Sequence, residues 1–491
     1  MAELVPAPFA DLVTRLHLEP ARQDALFELP RRKWYLPPTG GPDLSVPFHG
    51  HHAAAALGPA AGPHTQMAQN CLLAYAAGGR ILELKTVQVN DRLTISRPCI
   101  DLTNVGFNVE WSQELLVEQS LREYVAASML IAMFRANRDL TRGLLAGPAG
   151  EVIYDISVGY NLEGIRSEKI RGFLAGMRDA STGVDKLRSE IPAQFAAARD
   201  LPFQTRLSSS ITLSTFHGCP ANEIEAITEF LIGECDFDVI VKMNPPTLGQ
   251  ETLEHLLHDV LGYTDLKVNP QAYGAAISFA ESIQLTDRLT RFAAKRSRRV
   301  GFKFSNTLEV MNERTFFQPA EKVMYLSGQP LHVIAMALTD EFRQAVGPDV
   351  PISFSAGIDQ HNFPLAVACG FVPVTVSSDL LRPGGYGRFP AYLERLAAEM
   401  TKSGAASVDE FILRRFGIEA EAGRLAGPNA AREQLVRRAA LLNTSIAAKL
   451  AREDPRYRAE KNRALPKKID SHLVTFDCIT CDKCMPVCPN A

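Results

Sequence analysis

The sequence lacks the features that would assign it to a membrane, a secretory route or a nucleic acid. No run of 18 consecutive apolar residues occurs in the 491-residue chain, which argues against a membrane-spanning helix. The first residues do not follow the charged-then-apolar order of a signal peptide. The 52 basic and 55 acidic residues nearly balance, so no bulk attraction to nucleic acid or to an anionic membrane is expected. We expect a cytoplasmic globular protein.

Cysteine is scarce and unevenly distributed. The nine cysteines are an odd number, which fits a reducing compartment better than a disulfide framework. Four of them follow the pattern C-x2-C-x2-C-x3-C-P, namely Cys478, Cys481, Cys484 and Cys488. Bacterial ferredoxins bind a [4Fe–4S] cluster with this spacing. A zinc site usually pairs two C-x2-C halves across a longer loop, so we predict a [4Fe–4S] cluster, which carries one electron at a time.

The sequence also lacks a G-x-G-x-x-G motif after its first strand-like run, which weakens a dinucleotide-binding Rossmann fold. Instead, eight short apolar runs alternate with longer helical segments. Buried parallel strands have this near-continuous apolar character, and the alternation indicates a parallel sheet. The runs are residues 53–57, 80–85, 152–158, 209–214, 237–243, 300–305, 350–355 and 372–377. They predict an α/β fold, a closed (β/α)8 barrel, with an open doubly wound sheet as the alternative.

Composition divides the chain into four predicted segments. Residues 1–50 are rich in proline, contain one amphipathic helical pattern at 9–16 and form an N-terminal arm. Residues 51–400 contain the barrel. Residues 401–470 are rich in alanine, arginine and glutamate at helical spacing and form a helical connector. Its basic stretch is a solvated surface or meets an acidic partner. Residues 471–491 carry the ferredoxin-type cysteine half-motif.

The residues at the predicted strand ends indicate chemistry, because barrel enzymes carry their working residues at the C-terminal ends of the strands. Gly357 follows the predicted seventh strand, and Ser377-Ser378 ends the eighth. Such small residues let backbone N–H groups approach a phosphate closely. Lys85 and Lys242 end the second and fifth strands and bring positive charge where a reduced flavin carries its anion. The strand ends together favour a flavin phosphate site.

Several phrases in the sequence resemble a known family. They are GPAAGPHTQMAQN, ELKTVQ, NVEWSQEL, STFHGCPANEIE and CITCDKCMPVCPN, which span most of the chain. The chain resembles the FMN-binding barrel of dihydroorotate and dihydropyrimidine dehydrogenases. It is more closely similar to the N-terminal part of the longer putative selenate reductase iron–sulfur subunits, which are dihydropyrimidine-dehydrogenase-like oxidoreductases. The resemblance implies FMN in the barrel and electron transfer through the cysteine segment.

The resemblance also implies roles for individual residues. The asparagines at 104 and 108 resemble those of a loop that holds a planar cyclic substrate, and Asn244 is grouped with them. Gly357, Ser377 and Ser378 would hold the FMN phosphate. The complete set implied for FMN is Ala60, Ala61, Gly62, Lys85, Thr86, Lys242, Asn306, Thr307, Ser327, Gly328, Gly357, Ser377 and Ser378.

The loop after the predicted fourth strand departs from the family pattern. In the dehydrogenases a cysteine or serine on this loop is the acid/base, whereas Thr215 occupies the nearest equivalent position here. Cys219 lies four residues later, and a thiol with an ordinary pKa of about 8.5 is a workable proton donor. We predict Cys219 as the proton-transfer residue, with Thr215 and His217 as rivals. A buried cysteine at a helix start is the alternative.

These observations predict an iron–sulfur flavoprotein oxidoreductase subunit. It would exchange a hydride with a small substrate, a cyclic amide related to pyrimidines or purines, and relay electrons through its cluster. In two-cluster ferredoxins the fourth cysteine of a run serves the other cluster. Either Cys488 completes a single cluster, or a partner subunit carries a second cysteine run and an NAD(P)H-linked flavin module. We favour the partner, and a homo-oligomer is also compatible. The alternative function is an electron-transfer or scaffold subunit with no organic substrate of its own.

Overall fold

The computed structural model describes residues 4–91, 98–109, 113–214 and 219–464. Eight parallel strands form its centre, and we number them in chain order. They are Leu57–Pro59 (β1), Ile81–Glu83 (β2), Ile153–Gly159 (β3), Ser210–Ser214 (β4), Asp238–Met243 (β5), Val300–Phe304 (β6), Ile352–Phe354 (β7) and Val374–Val376 (β8). The hydrogen-bonded order is β1-β8-β7-β6-β5-β4-β3-β2.

The two ends of this sheet meet, so the barrel is nearly closed. The backbone N–H of Arg80, just before β2, donates to the carbonyl of Leu57 in β1 at 2.8 Å. Each strand is followed by a helix that covers the outside of the barrel. These helices are Ala68–Ala76 (α1), Val117–Ala136 (α2), Glu168–Arg178 (α3), Ala221–Gly233 (α4), Phe279–Ala294 (α5), Gln329–Val346 (α6), Phe363–Ala368 (α7) and Phe389–Lys402 (α8). The predicted (β/α)8 barrel is confirmed.

Further helices flank the barrel or lie in its loops. The amphipathic pattern near the N-terminus is a helix, Phe9–Gln23, which extends beyond the predicted residues 9–16. Helices after the barrel are Val408–Arg414, Glu419–Ala426, Arg432–Glu453 and Ala459–Asn462. Loop helices are Arg138–Thr141, Leu162–Arg166, Ser181–Glu190, Gln250–Glu254, the π-helix His255–Val260 and Pro270–Ala275. The limits of the four predicted segments stay a prediction.

Short 3₁₀ helices and hairpins lie between these elements. The 3₁₀ helices are Arg31–Lys33, Pro63–Thr65, Gly147–Gly150, Ala193–Asp200, Pro245–Leu248, Gly385–Arg388 and Pro455–Tyr457. Two antiparallel pairs precede the barrel, Ala25–Leu26 with Leu29–Pro30 and Val46–Phe48 with His51–Ala53. No helix in the described ranges is long and apolar enough to cross a membrane.

A four-stranded antiparallel sheet lies at the mouth of the barrel. Its strands, in hydrogen-bonded order, are Leu308–Met311, Val323–Ser327, Gly106–Asn108 and Ile100–Asp101. Two of them lie between β2 and α2, and the other two lie between β6 and α6. Tyr325 pairs with Asn108 and Ser327 with Gly106, so the sheet joins two distant loops over one end of the barrel. The apolar pattern of the sequence did not predict this sheet.

The first barrel strand was predicted at the wrong residues. The apolar run 53–57 suggested a strand, but β1 is Leu57–Pro59, and Ala53 ends the preceding hairpin. Gly58 and Pro59 have the composition of a turn, which is why the pattern missed them. The structure gives a physical reason for Gly58, since a Cβ atom there would lie 1.6 Å from the carbonyl oxygen of Ile81. The close approach of β1 and β2 therefore requires glycine.

The interior of the barrel is polar, which the near-continuous apolar runs did not suggest. In β4 the residues Ser210, Thr212 and Ser214 alternate with isoleucine and leucine. The hydroxyls of Ser210 and Thr212 each donate to the Asp155 carboxylate of β3 at 2.6 Å. Alternate residues of a strand point to opposite faces, so the polar set faces inward and the apolar set packs against the helices. The interior is a hydrogen-bonded polar network below the barrel mouth.

Candidate active site

A cavity of about 510 Å³ opens at the C-terminal ends of the barrel strands. This volume lies within the range that small-molecule and cofactor sites occupy. All eight strand ends contribute to its wall, through Ala60, Lys85, Gly159, Ser214, Lys242, Ser305, Ser355 and Ser377. The mouth sheet adds Asn108, Tyr325 and Ser327. The barrel therefore brings together residues that are separated by more than half of the chain.

Most of the residues that the sequence singled out for FMN and substrate line this cavity. They are Ala60, Ala61, Lys85, Thr86, Asn108, Lys242, Asn306, Thr307, Ser327, Gly357, Ser377 and Ser378. Four others do not line it. Gly62 and Gly328 precede helical turns, and Asn244 Oδ1 accepts a hydrogen bond from Asn306 Nδ2 at 2.7 Å. Asn104 Nδ2 donates to the carbonyl of Arg463 at 3.4 Å. The individual roles stay predictions.

Cys219 is buried at the start of α4, with 5% of its surface exposed, and is not among the cavity-lining residues of the described chain. Burial raises the pKa of its thiol to about 12, and the charge of Glu223 adds to this effect. Its predicted proton-transfer role stays a prediction. The rivals Thr215 and His217 lie outside the described residues. Ser214, at the end of β4, is the described residue of this region that lines the cavity.

A cradle of small residues forms one end of the cavity. We define it as the lining residues Ser327, Gly357, Ser377 and Ser378 together with Gly328, which lies behind them at the start of α6. Gly357 has φ +53°, and a Cβ atom there would lie 2.3 Å from the carbonyl oxygen of Gly328. Ser378 Oγ donates to Ser327 Oγ at 2.9 Å. The buried Ser377 Oγ has no hydrogen-bond partner among the described residues.

The cradle has the properties of an anion site. Gly328 is the N-cap of α6, an 18-residue helix whose positive dipole end favours a bound phosphate. Arg382 lies at the same helix start, where its Nη2 donates to the Asn104 carbonyl at 2.8 Å and reaches Gln329 Oε1 at 3.5 Å. The orphaned Ser377 hydroxyl fits a phosphate group, and the glycine at 357 lets the loop after β7 lie against Gly328 at the start of α6. The residues present therefore fit the phosphate of a flavin mononucleotide.

The floor of the cavity is charged. Lys242 of β5 lies in register with Lys303 of β6, so both side chains point into the barrel. Lys303 is fully buried and donates to the Glu83 carboxylate of β2 and, at 2.9 Å, to Thr375 Oγ1. Thr375 Oγ1 also donates to the same Glu83 oxygen at 3.3 Å. We call Glu83, Asp155, Lys242 and Lys303 the charged floor.

Burial and mutual charges shift the titration of these groups. Burial lowers the pKa of Lys242 to about 8, with Glu83 opposing the change and Lys303 adding to it. Burial acts to raise the pKa of Glu83, but Lys303 and Lys242 outweigh it and hold that pKa below its ordinary value. Burial, with the charge of Glu83, raises the pKa of Asp155 to about 7, against the hydrogen bonds from Ser210 and Thr212. A cation with a lowered pKa, Lys242, therefore borders the cavity near neutral pH.

Part of this site was not predicted from the sequence. The missed wall residues include Gln88, Asn90, Gln113, Tyr160, Tyr325 and Thr375, and the missed floor residues are Glu83, Asp155 and Lys303. A usable signal was present for the floor. Lys303 is a single lysine inside the apolar β6, and Asp155 is a single acid inside β3. A charged residue within a buried strand needs a partner, which predicts inward-facing pairs.

No group of three or more His, Cys, Asp or Glu side chains suited to a metal ion occurs in the part of the chain that the structure describes. The predicted cluster ligands Cys478, Cys481, Cys484 and Cys488 lie outside that part. The cysteines within it are four buried residues and the half-buried Cys235, and they are dispersed: Cys71, Cys99, Cys219, Cys235 and Cys369.

An eight-stranded parallel barrel with a cavity at the C-terminal ends of its strands defines a class of protein, the TIM-barrel proteins. The family described as "Oxidoreductase YgfK, N-terminal TIM-barrel domain" matches residues 27–423, and the chain belongs to this family.

Two similar proteins carry the name "Putative oxidoreductase YgfK", from Escherichia coli K12 and from Escherichia coli O157:H7. Each is 34% identical to this chain over 414 residues, which cover 80% of this chain and 39% of the relative. The chain thus spans about two fifths of the length of these relatives. Among solved structures, a ligand-free type DHODH from Eimeria tenella shares the fold with a TM-score of 0.50. It is 14% identical, and the match covers 81% of this chain and 96% of that one.

Proposed function

We propose that the chain is the FMN-binding part of an iron–sulfur flavoprotein oxidoreductase. The observation that carries the proposal is that one cavity contains both the small-residue cradle and the Lys242 side chain. A phosphate needs the cradle, and an electron-rich ring system needs the cation, so the pair suits a flavin mononucleotide better than either feature alone. Membership in an oxidoreductase family supports the same class of chemistry.

The chain's own residues would bind and orient the cofactor. Ser327, Ser377 and Ser378 would hold the phosphate together with the N-terminus of α6. Lys242 and Lys85 would supply positive charge along the ring system, with Ala60 and Ala61 leaving room for it. When bound, FMN supplies hydride exchange with a carbon centre and accepts or releases electrons one at a time. The protein contributes position and electrostatics.

The amide-rich wall is the feature that supports a cyclic amide substrate. Asn108, Asn306 and Gln113 line the cavity, and side-chain amides offer both donors and acceptors to the N–H and C=O groups of a ring. We propose a pyrimidine- or purine-related substrate, held flat by Asn108 and its neighbours. Cys219 would transfer the accompanying proton, with Ser214, Thr215 and His217 as rivals. The selenate reductase resemblance adds no substrate to this proposal.

The cysteine run supports electron relay through a [4Fe–4S] cluster to a partner. We propose a partner subunit in the cytoplasm that carries a second cysteine run and an NAD(P)H-linked flavin module. The proposal rests on the ligand count of the ferredoxin motif. Replacing Cys478 with Ser should remove iron from the anaerobically purified chain, co-expressed with its neighbouring gene product. The matched variant Cys235→Ser should retain it, and equal iron in both would contradict the cluster assignment.

The decisive experiment is anaerobic reconstitution of the full chain with FMN, followed by a substrate screen. We expect stoichiometric, non-covalent flavin, read from its visible absorbance after gel filtration. A dihydropyrimidine, or a related cyclic amide, should then reduce the bound flavin. A chain that retains no flavin would contradict the proposal. In the active system, Cys219→Ser should slow the substrate half-reaction by roughly 100-fold, the usual contribution of a positioned acid.

A second candidate function is an electron-transfer or scaffold subunit that binds FMN but turns over no organic substrate. The observation that favours it is the burial of Cys219 away from the cavity wall. This candidate predicts flavin binding and electron exchange with the partner, but no reduction by any member of the substrate screen. If Cys219→Ser keeps full activity in the substrate half-reaction, the second candidate is contradicted, because the chain then does turn over a substrate. The proton-transfer role would in that case belong to Ser214, Thr215 or His217.

A further inference from the structure

The charged floor has an arrangement that cofactor binding alone does not require. Two lysines lie side by side on β5 and β6, and two carboxylates lie side by side on β2 and β3, because Glu83 is in register with Asp155. The four side chains face one another inside the barrel. The ion pair that crosses this space joins Glu83 to Lys303.

The two lysines differ in their access to the cavity. Lys303 has 1% of its side chain exposed and is held by Glu83 and Thr375. Lys242 lines the cavity and is partly exposed. Asp155, next to Glu83 in the sheet, is held by Ser210 and Thr212. Lys85 also borders the cavity, at the end of β2. The charge that the floor presents to a ligand is therefore that of Lys242.

We propose that Glu83 is a positioning residue that keeps Lys242 cationic by neutralising Lys303. If Glu83 loses its charge, the ammonium groups of Lys242 and Lys303 lie on adjacent strands with no carboxylate between them. Their mutual repulsion then favours the loss of one proton. The more accessible amine, Lys242, then gives up its proton. Glu83 lies below the cavity wall and acts on Lys242 through its own charge and through its ion pair with Lys303. The proposal rests on the proposed function only in that a bound flavin would use the charge.

Lysine reactivity in the flavin-free full chain tests this role. A neutral amine is methylated by formaldehyde and borohydride, whereas an ammonium is not, so the labelling rate at fixed pH follows the neutral fraction. At pH 7 we expect labelling of Lys242 to rise about fivefold in Glu83→Gln if the pKa falls by one unit, towards a ceiling of about tenfold, because a pKa near 8 already leaves about a tenth of the amine neutral. Peptide mass spectrometry measures the rate, with the exposed Lys461 as an internal reference.

Two further variants fix the sign of the effect. Lys303→Met leaves Glu83 without its partner, so Lys242 becomes the nearest counter-ion and its labelling should fall. The double variant Glu83→Gln/Lys303→Met removes both charges and should return labelling close to that of the unsubstituted chain. A loosened barrel would instead increase labelling in all three variants and would overturn the proposal.

The outcomes separate this proposal from the proposed function. Unchanged labelling of Lys242 in Glu83→Gln would overturn it, because Lys303 then gives up the proton. If Glu83→Gln does not fold, the labelling of Lys242 is compared between the other two variants. It must be slower in Lys303→Met than in the double variant, and equal rates would overturn the proposal. Flavin retention is measured separately on the unsubstituted chain, so a lack of FMN contradicts the proposed function and leaves the labelling pattern to decide the role of Glu83.

Discussion

Lys242 is the residue whose charge the cavity depends on. Replacing it with alanine should weaken FMN binding by about 10- to 100-fold, because a hydrogen bond to a charged group contributes roughly 1.5–3 kcal/mol. The dissociation constant is measured by quenching of flavin fluorescence. The control is Lys267→Ala, an exposed lysine paired with Glu313 outside the cavity, which should bind FMN normally. Equal affinity in Lys242→Ala and Lys267→Ala would contradict the role of Lys242.

Asp155 gives a prediction about stability against pH. The pKa of its carboxyl is raised from an ordinary 3.8 to about 7 in the folded chain, first by burial and then by the charge of Glu83. The folded state therefore disfavours the ionised form. Its contribution to the free energy of unfolding is full below pH 4 and is lost as the pH rises to about 7, by at most roughly 4 kcal/mol.

The variant Asp155→Asn should remove this pH dependence, because asparagine cannot ionise. We expect the urea midpoint of the variant to change less between pH 4.5 and 7.5 than that of the unsubstituted chain, with pH values chosen to bracket the titration. Asp185→Asn, at a side chain that is 79% exposed, is the matched control and should follow the unsubstituted chain. If Asp155→Asn loses as much stability over this range as the control, Asp155 is not the titrating group.

At the scale of elements, the loop after β7 and the start of α6 meet at Gly357. Its φ is +53°, and a Cβ atom there would lie 2.3 Å from the Gly328 carbonyl oxygen, so no space is left for a side chain. Gly357→Ala should therefore displace the cradle and weaken FMN binding by at least tenfold. Backbone strain at the positive φ should in addition lower the free energy of unfolding by roughly 1 kcal/mol. The dissociation constant and the thermal midpoint are both measured.

The control for Gly357 is a glycine with strain and no collision. Gly347 has φ +90°, and nothing lies within 4 Å of the position of its Cβ atom. Gly347→Ala should lower the thermal midpoint by a few degrees and leave FMN affinity unchanged. Matching losses of affinity in both variants would mean that general destabilisation, and not the cradle, explains the effect of Gly357.

The barrel was predictable from its sequence because seven of its eight strands coincide with the predicted strand-like runs, with helices between them. The exception, β1, has the sequence Leu-Gly-Pro, and its strand character comes from its parallel pairing with β8, where Leu57 lies opposite Val374. The mouth sheet was not predictable for a related reason. Its strands have two to five residues, and register between loops about 200 residues apart, such as Tyr325 with Asn108, is set only by the assembled barrel.

The candidate site also contains residues that the sequence predicts and residues that it does not. Residues that follow strands, such as Lys85 and Ser377, were predictable because the ends of parallel strands converge at one edge. Glu83 and Lys303 lie within strands and are 220 positions apart, so their pairing depends on closure of the barrel. The proton-transfer role of Cys219 stays a prediction. Its position after β4 suggested a cavity residue, whereas the described chain has it buried at the start of α4.

At the scale of the whole molecule, residues 454–463 follow the last long helix and pack against α6 and the loop after β7. We call these residues the strap. Tyr457 stacks on His332 of α6, with ring centroids 4.9 Å apart at 16°. Arg456 Nη1 donates to both carboxylate oxygens of Asp359, at 3.1 and 2.9 Å. Asn362 Nδ2 donates to the Tyr457 hydroxyl at 3.2 Å and to the Gly357 carbonyl at 2.9 Å. The strap thereby supports the loop that forms the cradle.

The strap contacts the mouth of the barrel at a second point. Arg463 Nη2 donates to Asp265 at 2.9 Å, and its carbonyl accepts from the Asn104 side chain near the mouth sheet. The backbone carbonyl of Asn104 in turn accepts from Arg382 beside α6. The sequence continues from this point towards the predicted cluster cysteines. The strap therefore contacts both the loop that forms the cradle and the mouth sheet.

Weakening the strap should loosen the cradle without touching the cavity wall. Tyr457→Phe keeps the ring stack on His332 but removes the hydroxyl that contacts Asn362 and Arg456. We expect faster amide hydrogen exchange in residues 356–362 and FMN dissociation several-fold faster, because the loop loses a support and local opening becomes easier. Tyr457→Ala removes the stack as well and should give the larger change. Tyr273→Phe, which removes a 3.3 Å hydrogen bond to Glu254, should leave both rates unchanged. If amide exchange and FMN release in Tyr457→Ala occur at the rates of Tyr273→Phe, then the barrel alone holds the cradle and the strap does not support it.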